Sequence, residues 1–120
     1  MGTNTQYHYP SAYEWNIGVG SVNIKKMRSD FSSYGDKVGL EIMAPGEDIT
    51  VACPGGGYRS ASGTSFSAPH VTGAVALLIS ENRELSPDEI RDYIKSQADV
   101  NLPDYNPHEY GAGLLDLRGF

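Results

Sequence analysis

Ser62-Gly63-Thr64-Ser65-Phe66-Ser67-Ala68-Pro69-His70-Val71-Thr72-Gly73 runs without a break into Ala74-Val75-Ala76-Leu77-Leu78-Ile79. A turn of small residues hands a serine to the start of an apolar helix. At a helix start the first N–H groups lack intrahelical partners and the dipole is positive. Negative charge developing on a reacting carbonyl oxygen is stabilised at such a place. The stretch therefore reads as a nucleophilic serine, Ser65, on a helix predicted to run from Ser65 to about Glu81. Phe66, Ala68, Val71 and the run from Ala74 to Ile79 leave almost no polar face, and a helix apolar all round is a buried one. Pro69 falls in the first turn, where a missing N–H costs little. Gly73 predicts a close contact with a neighbouring element.

On the amino-terminal side, Ile49-Thr50-Val51-Ala52-Cys53 and Tyr58-Arg59-Ser60-Ala61 flank Pro54-Gly55-Gly56-Gly57, a hairpin signal leading straight into the serine. Leu40-Glu41-Ile42-Met43-Ala44 reads as a strand stopped by Pro45-Gly46, and Ile17 to Val22 as a short strand of small residues. Residues 1–15 read as a tyrosine-rich loop, and Lys25-Lys26-Met27-Arg28 as a solvated basic turn. On the carboxyl side, Ser86, Pro87 and Glu89 spell a capped helix start, with Leu85 and Ile90 as its hydrophobic staple. Ile90, Tyr93, Ile94 and Ala98 form one stripe, so this second helix is amphipathic. Pro103 and Pro107 break the segment after it. Gly111-Ala112-Gly113-Leu114-Leu115-Asp116-Leu117 is a tight turn into a final short strand or helix.

The 120 residues are 39% apolar and 20% charged, the composition of one globular unit with a core. A net charge of −6 argues against nucleic acid or an anionic membrane as partner. The longest apolar stretch, Gly73 to Ile79, is too short to span a bilayer. Cys53 is the one cysteine, so no intrachain disulfide forms. It reads as a buried small hydrophobe. No secretory leader pattern is present, and the compartment is left open.

A serine hydroxyl needs a base to take its proton, and the base needs an orienting partner. His70 follows Ser65 by about 500° of helical rotation, so the two side chains diverge. His8 and His108 read as surface residues, and His70 as one packed behind the helix start. The motif also lacks the second glycine of a G-x-S-x-G elbow.

Gly63 to Gly73 closely resembles the serine-bearing signature of the subtilisin-like serine proteases. The resemblance continues through Tyr9-Pro10-Ser11-Ala12-Tyr13, Ile17 to Val22, Phe31-Ser32-Ser33-Tyr34-Gly35, Met43-Ala44-Pro45-Gly46, Pro54 to Tyr58 and Tyr110 to Asp116, in that order. It implies an α/β fold: the C-terminal part of a doubly wound parallel sheet, with a buried serine-bearing helix and a hairpin. It implies peptide-bond hydrolysis through an acyl-enzyme on Ser65. Ser65 N–H would be one oxyanion donor, with Thr64 beside that hole. Gly63 would give substrate room, and Ser62 and Ala61 would flank the leaving-group side. Phe66 stands where many relatives carry methionine, which implies resistance to oxidation.

In this family the order along the chain is Asp, His, Ser. No match to the Asp motif, the His motif or the oxyanion asparagine occurs here, and Met1-Gly2-Thr3 begins about where the asparagine loop of relatives ends. Residues 1–120 are thus expected to be a partial catalytic domain, inactive alone. The expected partners are a peptide substrate and either the upstream half of the same domain or a second copy, covering apolar surface near Val71, Val75, Leu78 and Ile79. The alternative is a non-catalytic binding or structural module. No cofactor is identified. Calcium enters by resemblance only, through Glu41, and one carboxylate does not make a calcium site.

Overall fold

Two parallel strands, β1 (Gly18–Val22) and β2 (Leu40–Pro45), form the centre of the molecule. They pair in a register that sets Val19 against Ile42 and Ser21 against Ala44. The computed structural model describes residues 6–120; the expectation attached to Met1-Gly2-Thr3 lies outside them. The far edge of β2 is closed by the carboxyl-terminal segment. Met43 N–H donates to the Gly113 carbonyl and Leu115 N–H to the Met43 carbonyl, both at 2.8 Å. Leu114 also exchanges hydrogen bonds with Asp99, at 2.8 and 2.9 Å. The expected final strand or helix is thus a single-residue bridge.

Side chains alternate across β2, as the pleat requires. Ile42 and Ala44 face a core with Val71, Leu78, Ile90 and Ile94, whereas Met43 faces the other side with Val22, Leu102 and Tyr110. Both faces of the parallel pair are covered, the condition under which parallel strands are stable. The first face carries α1 (Ala68–Glu81) and α2 (Pro87–Ser96). The second carries α3 (Pro107–Tyr110), a one-turn helix that Pro107 opens rather than prevents. Asn106 caps it, its side chain accepting from Glu109 N–H at 2.9 Å.

The capping box at α2 forms with both arms: Glu89 N–H donates to Ser86 Oγ at 3.1 Å, and Ser86 N–H to Glu89 Oε1 at 3.0 Å. Leu85 and Ile90 enter the same core. The hairpin joins β3 (Ile49–Ala52) to antiparallel β4 (Tyr58–Ala61).

α1 departs from expectation. Only Val71, Ala74 and Leu78 are buried, while Leu77 is 49% and Ile79 42% exposed. Val71 and Leu78, expected at an exposed surface, are inside. Gly73 looks onto open space instead of a neighbouring element. The sheet and α2 cover one side of this all-apolar helix, and nothing among the described residues covers the other. Cys53 is half-buried at the hairpin turn rather than internal. Arg28, read as solvated, is engaged: its Nε pairs with Glu109 at 3.0 Å and its guanidinium lies 4.5 Å from the Tyr34 ring centre.

Candidate active site

Ser65 sits in a 3₁₀ turn, Thr64–Phe66, ahead of α1. Two hydrogen bonds close this turn: Phe66 N–H to the Gly63 carbonyl and Ser67 N–H to the Thr64 carbonyl, each 3.0 Å. The Ser65 N–H takes part in neither. It remains at the positive end of the helix, a position from which an N–H can stabilise negative charge. The predicted helix start is therefore resolved into two pieces, with Ser65 on the tighter one and Ser67 at the N-terminus of α1.

Gly63 enables the turn. Its φ of 149° and ψ of 157° fall in a region essentially reserved for glycine. A Cβ there would meet the Phe66 ring and the Ser65 nitrogen at ordinary contact distances, so the demand is conformational and not spatial. The Gly63 N–H donates to the Gly46 carbonyl at 2.7 Å, which ties the turn to the end of β2.

Ser65 and Thr64 line an open cleft of about 420 Å³ with Pro10, Ser11, Asn16, Ile17, Val19 and Ala68. Its far wall is the loop before β1. That loop is braced from α2: Arg91 donates to the Asn16 carbonyl at 2.9 Å, and Asn16 Nδ2 donates to the Pro10 carbonyl at 2.7 Å. Ala61, Ser62 and Gly63 are not among the walls. Ser62 Oγ instead accepts from Asp48 N–H at 3.0 Å, fastening the segment before the serine to the turn before β3.

The subtilase family model matches residues 1–113. The chain belongs to the subtilase family. It is 38% identical over 117 residues to subtilisin amylosacchariticus of Bacillus subtilis subsp. amylosacchariticus, covering 98% of this chain and 29% of that protein. It is 40% identical to subtilisin DY of Bacillus licheniformis, covering 98% of this chain and 41% of the relative. A cold-adapted subtilisin-like serine proteinase superposes with a TM-score of 0.80 at 34% identity, over 89% of this chain and 38% of that one. The patellamide maturation protease PatA gives 0.78 at 37%, over 93% and 44%. The subtilase chain thus spans well under half the length of these relatives, and its mixed α/β architecture with a parallel sheet and a hairpin is theirs.

None of the three histidines of this subtilase chain lines the Ser65 cleft. His70 is exposed, with Nδ1 2.9 Å from the Phe66 carbonyl one turn back, so that ring nitrogen carries the proton and donates to the helix. It is not packed behind the helix start. The His108 ring meets Tyr34 edge-on at 5.3 Å. Glu41 stands between two cations, 3.4 Å from Arg91 Nε and 3.6 Å from Lys95 Nζ. A carboxylate neutralised twice over does not fit a calcium ligand, and among the described residues no three acidic, histidine or cysteine side chains cluster.

The role of Pro10, Ser11 and Asn16 as a cleft wall is missed by the sequence reading, which holds Pro10 and Ser11 only as part of a block of family resemblance and Asn16 not at all. Gly46 and the buried serines Ser21, Ser29, Ser32 and Ser67 also go beyond the sequence reading. The serines do carry a weak signal: small hydroxyl residues inside or beside otherwise apolar strands and at the serine turn.

Proposed function

We propose that this chain supplies the nucleophile-bearing part of a subtilisin-like serine endopeptidase acting on extended peptides. The observation that carries the reading is Ser65 on a glycine-dependent turn at a helix N-terminus, facing a cleft. Family membership supports it. The Asp, the His and the asparagine oxyanion donor would come from the portion of the domain that lies ahead of this region in relatives. In the reaction, Ser65 Oγ bonds to the scissile carbonyl carbon while its proton passes to that histidine. The carbonyl oxygen becomes an oxyanion held by the Ser65 N–H and the asparagine. The C–N bond then breaks, the amine leaves with the proton, and water releases the acyl group from Ser65 in the reverse sense. Without the base such a site loses on the order of 10⁶ in kcat, so residues 1–120 alone are inactive.

A fluorophosphonate probe tests this reading. Labelling at Ser65 that requires an added upstream subtilase segment, and that is lost in Ser65→Ala, is the expected result. No labelling in the reconstituted domain overturns it and leaves a binding module.

A further inference from the structure

Four serines among the described residues are fully withdrawn from solvent: Ser21, Ser29, Ser32 and Ser67. Three have partners. Ser21 N–H donates to Ser32 Oγ at 2.9 Å, Ser29 Oγ donates to Glu47 Oε2 at 2.8 Å, and the Ser21 and Ser29 hydroxyls lie 2.7 Å apart. Ser67 Oγ is buried without a hydrogen-bond partner. It does not cap α1 either, although it occupies the capping position.

Proton counting gives the contacts a direction. A hydroxyl has one proton, and an ionised carboxylate only accepts. The proton of Ser29 is committed to Glu47, so between Ser21 and Ser29 the donor is Ser21. The Ser21 oxygen then keeps acceptor capacity and has no proton left to give. Ser67 has the complementary property, an uncommitted proton. Both oxygens face one spot: a Cβ built on Gly46 would collide with Ser21 Oγ and Ser67 Oγ alike. Only the absence of a side chain at Gly46 leaves them in view of each other. Leaving a buried hydroxyl unpaired is costly, which favours the contact.

We propose that Ser67 donates to Ser21 across Gly46 in the assembled protease, completing a one-way chain Ser67→Ser21→Ser29→Glu47, and that Ser67 is thereby a positioning residue for Ser65. The mechanical link is short. Ser67 N–H closes the turn that holds Ser65, and Gly63 N–H bonds the Gly46 carbonyl at 2.7 Å. Ser67 thus grips β1 through its side chain at the point where Gly63 grips β2 through its backbone. Ser67 does not touch the reacting atoms; it acts through the angle at which the turn presents Ser65. The proposal rests on Ser65 being the nucleophile.

The test uses the domain reconstituted with an upstream subtilase segment. Fluorophosphonate labelling rates, kcat and KM on a peptide substrate are compared for the unmodified protein, Ser67→Ala, Ser21→Ala and the double variant. Each single variant is expected to lower the labelling rate and kcat about fivefold with KM unchanged. The double variant is expected to lose no more than Ser21→Ala alone, because that change already removes the acceptor of the Ser67 proton. A Ser67→Ala protein that labels at the unmodified rate, or a double variant whose loss is the product of the two, overturns the proposal. Should Ser67→Ala fail to fold, Ser21→Ala against Ser29→Ala carries the test: equal kcat losses with KM unmoved support the chain, and no loss in Ser21→Ala ends it. An unmodified domain labelled at Ser65 confines any such failure to the Ser67 proposal, whereas an unlabelled one overturns the reading of Ser65 itself.

Discussion

The Gly63 N–H donates to the Gly46 carbonyl at 2.7 Å, so the turn that carries Ser65 hangs from the residue that follows β2. Gly46 is also hemmed in by Ser21 and Ser67, with no room for a Cβ. Gly46→Ala is therefore expected to push the turn outward. Overpacking of this kind costs about 1–3 kcal/mol. Chemical denaturation should show that loss, and Ser65 labelling in the reconstituted domain should slow with it. An alanine variant of unchanged stability and rate would mean that the turn is held elsewhere.

The cleft wall depends on Arg91, which reaches from α2 to the Asn16 carbonyl and pairs with Glu41. Arg91→Met keeps most of the stem and removes the fork. The expected outcome is a raised KM with kcat little changed, since in the proposed function the peptide lies along this wall while Ser65 stays in place. Steady-state kinetics on a peptide series reads this directly.

The capping box gives α2 its start. Ser86→Ala is expected to cost about 1 kcal/mol, read as a shift in the denaturation midpoint. Its partner Glu89 accepts from the Ser86 backbone and side chain, and these bonds hold its carboxyl below the usual range. A depressed folded-state value means that the contribution is present above the ordinary glutamate pKa and fades as pH falls through the folded value. Unfolding curves across the acid range should lose part of their slope in Glu89→Gln.

Asp116 is held at about 2, first by the side-chain hydrogen bonds from Arg118 and then by the Arg118 backbone N–H. The Arg118 side chain is 81% exposed, so the pair contributes little to stability. Arg118→Ala should bring the Asp116 titration, followed by carboxyl carbon shifts, back toward the ordinary aspartate range while the thermal midpoint hardly moves. A low Asp116 value that survives the substitution would assign the effect to another group.

Leu77 and Ile79 are displayed on the outer side of α1. We propose that the upstream portion of the domain covers them. Leu77→Lys should then weaken binding of an added upstream segment at least tenfold in calorimetry, with the fold of this chain unchanged by circular dichroism. Equal affinity would place the joint on another face.

The serine turn, the hairpin, the α2 cap and the two central strands are legible in the sequence because each has a local cause: small residues before an apolar run, glycines at a tip, Ser86 and Glu89 three apart, apolar runs bounded by Pro45-Gly46; the parallel pairing of those strands comes only with the family resemblance. The burial of α1 is not legible, because composition reports how apolar a helix is and not which neighbours exist to cover it. The contact expected at Gly73 fails for the same reason. Pro107 reads as a breaker, yet Asn106 ahead of it makes proline a favourable first residue of a new turn. How the cleft wall and the serine chain come together is not legible in the sequence because they join residues far apart along it, and no periodicity records that Ser21, Gly46 and Ser67 converge.

The seam between Met43 and Leu114 bears on how the molecule is made. β2 has one neighbour from early in the chain and another from its carboxyl-terminal segment, so the strand is last to be enclosed. A ribosome that has released everything up to α2 has delivered the turn of Ser65 but not the segment that shuts the sheet behind it. Ser65 is thus translated well before the framework beneath it closes, and the sheet behind its turn is completed only when the segment around Leu114 arrives.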